Sequence, residues 1–300
     1  MDSLFQLLNE NYIATWTIIT ACCCSLMCAW LGVWLVLQRM SMLGDAISHS
    51  VLPGLILVYI FFGLHSPLPM AIGAALAGLL TIALMKGLSS LANIHHDSSM
   101  GIVFTVLFAI GVILINRYAD HIDLDPSCVL YGLIEFVAID TRQILGYEIP
   151  KALTTIFPAL IITGAFLAMA KKELLIMAFD PYLAKTLGKK PDLFFYLLMS
   201  IVAIVTVASF ESVGSILVIA MLIGPAATAQ LVTKNIRSMF AAASVVAIFS
   251  SIIGYYMAVW LNTSIAGMMS VAIGIFYLLG VLYTKIQIWQ FKKAELGTNP

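Results

Sequence analysis

Asp45 and His49 stand four residues apart in the run Arg39-Met-Ser-Met-Leu-Gly-Asp-Ala-Ile-Ser-His49, just ahead of an almost wholly apolar stretch from Val51 to Leu64. On a helix this spacing puts a carboxylate and an imidazole on one face, about one turn apart. An ionisable residue at the centre of a bilayer costs roughly 2.5–3.5 kcal/mol on insertion scales, so both side chains need a partner. Two readings answer that need. A divalent cation can sit between the oxygen and the nitrogen, or an Asp–His hydrogen bond can cement two helices.

Glu211 is the next candidate. It interrupts a long apolar region in the run Ser209-Phe-Glu211-Ser-Val-Gly214, either between two spans or inside a broken helix. It is then a third ligand on a metal pathway or a solvated turn. Gly224-Pro225 follows, a pair that removes a backbone hydrogen bond and lets neighbours approach closely. His95-His96-Asp97, and His121 with Asp123 and Asp125, read first as solvated loops, with metal contact or cation attraction as the sharper alternatives. His65, near Pro67 and Pro69, reads as interfacial. Of the five cysteines, Cys22, Cys23, Cys24 and Cys28 fall inside the first apolar span and Cys128 lies apart. In such a span cysteine behaves as a small hydrophobe; a thiolate cluster is the competing reading.

The elements that must position these groups are membrane helices. Of the 300 residues 62% are hydrophobic and 10% charged, against roughly 25% charged in a soluble domain. The mean hydropathy is +1.04. The formal net charge of zero argues against nucleic acid as a partner. Apolar segments of spanning or near-spanning length recur at about 13–37, 47–64, 67–86, 98–115, 152–170, 193–209, 213–232, 239–261 and 265–285. A shorter piece, about 127–139, reads as re-entrant. The expected architecture is an all-α polytopic membrane protein of about 8–10 transmembrane helices, one domain filling residues 1–300. Gly73, Ala77 and Gly78 form a small-residue face suited to close helix packing. No Lys or Arg precedes Arg39, so the first span lacks the basic region of a cleaved signal peptide and is expected to be retained.

Lys and Arg set the orientation. With nine crossings and the N-terminus outside, only Arg117, Arg142 and Lys151 of the fifteen basic residues face outward. A crossing by 127–145 would invert the first four spans and leave the second half as it is. The cytoplasmic loop, about 171–192, holds Phe179-Asp180-Pro181-Tyr-Leu183-Ala184-Lys-Thr-Leu187-Gly188. Asp180 is placed as an N-cap, Pro181 at the first helical position, and Gly188 at the C-terminal stop. Leu183 and Leu187 then line one side of a two-turn helix between basic flanks. Such a helix either rests on the membrane surface or docks a cytoplasmic protein.

Three segments together resemble the integral-membrane subunits of ABC transporters that import zinc, manganese or iron. They are Arg39 through His49, Leu174 through Gly188 with its Phe-Asp-Pro and Ala-x-x-Leu-Gly pattern, and Val213-Gly214 through Ala229; Leu130-Tyr131-Gly132 is a weaker echo. The resemblance covers about residues 13–285. It implies an importer permease in a bacterial inner membrane that pairs with itself or with a close relative around a central pathway. It also implies a cytoplasmic ATPase docked through Phe179, Asp180, Leu183, Ala184, Leu187 and Gly188, and an extracytoplasmic binding protein that delivers the metal. The positions matching Asp45 and His49 would contact the transported ion. Where this chain has Glu211 the family usually carries an uncharged residue, often Gln.

Energy supply agrees with a partnered, non-enzymatic subunit, because the chain has no G-x-x-x-x-G-K-[ST] phosphate loop. Two other classes compete. A gradient-driven metal transporter would commonly repeat its broken helix in the second half, and there is no second Asp-x-x-x-His there. An intramembrane metallohydrolase would want His-Glu-x-x-His or an equivalent three-ligand set, also absent from the sequence.

Overall fold

Backbone amides in hydrocarbon have no water to bond, so long apolar runs satisfy themselves as helices. A computed structural model describes residues 2–62, 67–118, 134–144 and 147–296. Among them nine helices are long and apolar enough to cross a membrane: Tyr12–Leu37, Leu43–Phe62, Ile72–Ala92, Asp97–Tyr118, Lys151–Phe179, Pro191–Phe210, Ser215–Val232, Ile236–Leu261 and Ile265–Gln290. They fall on the nine expected segments.

The helical elements are α1 (Asp2–Leu37), α2 (Leu43–Ser50), α3 (Leu52–Phe62), α4 (Pro67–Ala92), α5 (His96–Tyr118), α6 (Lys151–Phe179), α7 (Pro181–Thr186), α8 (Pro191–Val213), α9 (Ser215–Val232), α10 (Ile236–Leu261) and α11 (Ile265–Leu296). Between α5 and α6, strands β1 (Thr141–Ile144) and β2 (Tyr147–Pro150) pair antiparallel with Arg142 opposite Ile149. This hairpin is the exception to an all-α reading. Its strand at 141–144 also leaves no crossing helix over the described part of 127–145. The expected re-entrant piece lies outside the described residues up to 133, and 134–139 form turns.

One boundary differs from expectation for a clear reason. The fifth span runs on to Phe179, so the first nine residues of the expected 171–192 loop are helical. Lys, Glu, Leu, Met and Ala favour helix, and nothing stops it before Asp180-Pro181, where proline disfavours helical backbone in the residue ahead of it. The break between the expected segments 193–209 and 213–232 falls at Gly214, whose φ of 89° separates α8 from α9, and α9 runs on through Pro225. Gly224 gives the close approach anticipated there, because a Cβ on it would collide with Ile273 of α11.

Helix α1 is the centre of the bundle and packs on α6, α9 and α10. Cys24 and Cys28 are fully buried in its core face beside Ala21 and Leu31. The small-residue face of α4 meets α3 where Gly54 and Gly73 cross, each lying where the other's Cβ would strike backbone. Ion pairs stitch the basic side of the bundle: Lys86 to Asp192 at 2.7 Å and Lys189 to Glu173 at 3.1 Å. On the other side Tyr12 donates to the Glu148 carbonyl at 3.0 Å, and Lys151 pairs with Asp140.

Candidate functional site

Helix α2 spans only eight residues and carries Asp45 in its first turn and His49 in its last. His49 Nε2 stands 3.4 Å from Asp45 Oδ1. The side chains are 34% and 36% exposed respectively, so the pair opens off one face of the chain rather than closing into the core. Two phenylalanines of α5 frame the imidazole. Phe104 stacks at 5.9 Å and 29°, and Phe108 meets it edge-on at 5.4 Å. Stacking fixes the ring plane, which leaves Nε2 facing the carboxylate.

Packing sets the depth of the pair. Ile47, between the two residues, reaches the place where Gly78 of α4 meets Ala203 of α8. From Pro191 to Ala203 along α8 is about 18 Å at 1.5 Å per residue. Asp45 and His49 therefore sit near mid-membrane, although they begin the second span. Gly44 lies against the Leu222 side chain of α9, which a Cβ there would have to displace.

Glu211 lies in the last turn of α8, and its side chain is outside the described residues. Its backbone is about 12 Å further along α8 than Ala203, so the helix does not bring it level with Asp45 and His49. His95 and Asp97 are exposed at the start of α5, and the His96 side chain is outside the described residues. His65, His121, Asp123, Asp125 and Cys128 are also outside them. Among the described residues no three His, Cys, Asp or Glu side chains gather into one metal-sized group.

The second candidate surface is α7. Asp180 caps it, its Oδ1 accepting from the amides of Tyr182 at 3.0 Å and Leu183 at 2.9 Å. Gly188 ends it at φ 71°. Ala184 is buried against the bundle, whereas Phe179, Tyr182, Leu183 and Leu187 are all exposed. Four large apolar side chains in water around six helical residues form an unpartnered patch. Sequence reasoning missed Tyr182 here, and it missed the tie beneath. Asp192 of α8 holds Lys86 of α4 at 2.7 Å and Lys185 of α7 at 3.8 Å, with Lys86 also lying over Phe195 and Tyr196. It also missed Phe104 and Phe108, whose four-residue spacing looks like any lipid-facing stripe.

Among the described residues, nine helices of spanning length, a polar pair at mid-depth and an exposed apolar helix on the basic side define a multi-pass membrane permease. The chain belongs to the ABC 3 transport family, which it matches over residues 10–284. It is 39% identical to the manganese transport system membrane protein MntD of Bacillus subtilis, over 94% of this chain and 98% of that one. It is 38% identical to the zinc transport system membrane protein TroD of Treponema pallidum, over 87% and 71%. The solved structure of PsaBC from Streptococcus pneumoniae in complex with Fab has a TM-score of 0.75 and 29% identity, over 93% of this chain and 95% of that one. The chain is an ABC importer permease, a multi-pass protein of the bacterial inner membrane and a transport subunit rather than an enzyme.

Proposed function

We propose that this permease imports a divalent transition-metal ion, and that Asp45 and His49 bind the ion in transit. The carrying observation is the 3.4 Å separation of His49 Nε2 and Asp45 Oδ1 on an open face. Ligands about 2.0–2.1 Å from a tetrahedral ion stand roughly 3.3–3.4 Å apart, so the spacing of the pair matches that of two ligands on one ion. One chain offers only one oxygen and one nitrogen. Two chains, either identical or this one with a related permease, bring two of each, a set that suits Zn2+, or Mn2+ and Fe2+ with waters added. The manganese and zinc transport named for the two relatives is consistent with that donor set. Glu211, about 12 Å beyond Ala203 along α8, belongs to the outward leg of the route.

A cytoplasmic ATPase grips α7. Leu183, Leu187 and Phe179 supply the apolar contact, Asp180 and Gly188 fix the two ends of the helix, and Ala184 seats it on α6 and α8. Rocking α7 moves α8 through the Lys185–Asp192 contact, and α8 packs on α2. That is a two-state linkage from ATPase to metal pair. A binding protein delivers metal on the opposite side, where the β-hairpin lies. Purified permease in proteoliposomes with its ATPase and binding protein tests the proposal. Metal accumulation that needs ATP and survives collapse of ion gradients supports it. Accumulation driven by a proton gradient without ATP overturns it in favour of a secondary transporter.

A further inference from the structure

A cavity of about 520 Å³ lies between α1, α6 and α10, with Trp30 and Trp34 on one wall, Leu167 on the second and Phe240 on the third. Its volume lies within the roughly 300–1,000 Å³ of small-molecule sites. The groove is apolar almost throughout. Gly164 faces the Trp30 ring, where even a Cβ would come within 3.1 Å of the indole. Trp30 is held in place by its N–H, which donates to Ser244 Oγ at 2.9 Å. The framing helices α6 and α10 pack on α1 rather than on α2, so the groove is separate from the metal pair.

Its position along the membrane normal follows from the chain. Trp30 and Trp34 lie in the last two turns of α1, and Phe240 and Ser244 in the first turns of α10. Both are the ends on the basic, cytoplasmic side. Lys171 lines the groove at that end. Arg237 is exposed one turn before Phe240 and Ala241, on the same face of α10, and Lys172 follows Lys171. The nearest carboxylate in sequence, Glu173, is already bonded to Lys189, and neither Lys171 nor Arg237 has an ion pair among the described residues. The groove therefore has an oily body at the depth of acyl chains and an unneutralised cationic mouth at the depth of headgroups.

We propose that this groove is a binding site for an anionic phospholipid of the cytoplasmic leaflet. One acyl chain lies along Trp30, Leu167 and Phe240, and the phosphate is held by Lys171 and Arg237. Basic pockets between transmembrane helices on the cytoplasmic side recognise such headgroups, each Lys or Arg being worth about fivefold in affinity. A zwitterionic lipid offers the same chain without the net charge. The occupied groove joins α1, the central helix, to α6, which leads directly into α7.

The test uses the full permease–ATPase complex in nanodiscs containing equal amounts of phosphatidylglycerol and phosphatidylcholine, released into the gas phase for native mass spectrometry. The wild type is expected to retain one phosphatidylglycerol per copy of this chain, preferred tenfold or more over phosphatidylcholine. Lys171→Gln with Arg237→Gln is expected to abolish that preference, bringing the two lipids to parity. Ala168→Phe, a substitution at an exposed position on the groove rim, is expected to remove the retained lipid with the charges intact. Equal retention of the two lipids by the wild type overturns the proposal. So does unchanged retention in both variants, which would mark the lipid as annular. Neither result bears on metal transport, which is read separately by uptake.

Discussion

Asp192 at the start of α8 is shared by Lys86 of α4, at 2.7 Å, and Lys185 of α7, at 3.8 Å. This carboxylate joins the short helix α7 to two membrane helices, both of which pack on α2, the carrier of Asp45 and His49. The polar pair and the apolar patch on α7 thus belong to one connected body.

If α7 is the docking helix, its exposed leucine is the sensitive point. Leu183→Glu puts a charge into an apolar contact and should abolish co-purification of the ATPase while leaving the permease inserted. Pull-down from detergent extract reads this directly, and full recovery of the ATPase would remove Leu183 from the interface.

The cap on α7 should matter by a smaller amount. Asp180→Ala removes the acceptor of two amide bonds, at a cost of about 1 kcal/mol. Hydrogen exchange at the amides of Tyr182 and Leu183 should speed up by roughly fivefold, with α8 unchanged. Unaltered protection at both amides would mean the cap is redundant.

Gly214 is the hinge between α8 and α9, with φ 89° and ψ 152°. That region is essentially closed to side chains, so Gly214→Val should destabilise by about 1–3 kcal/mol. A thermal unfolding midpoint in detergent lower by several degrees is the expected readout. Gly188→Ala, also at positive φ but with open space around its Cβ position, should cost less.

Much of this was legible before any coordinates. Long apolar runs announced the helical bundle, because hydrocarbon permits little else. Asp180, Pro181 and Gly188 announced α7, since capping is local chemistry. Depth was not legible. Asp45 lies near the start of its span, and only the packing of Ile47 against Gly78 and Ala203 carries it to mid-membrane. The gap between the segments ending at 209 and beginning at 213 was legible, and positive φ at Gly214 makes it. Contacts distant in sequence, such as Phe104 on His49 or Lys86 on Asp192, leave no periodic trace.

The most direct test of the account is cellular metal content, measured by mass spectrometry in an uptake-deficient host that expresses this permease with its ATPase and binding protein. The account predicts that wild type restores one transition metal among zinc, manganese and iron. His49→Ala and Asp45→Ala should each lower that uptake by at least tenfold at normal membrane abundance. Wild-type uptake by both variants would contradict the claim that these two side chains carry the ion.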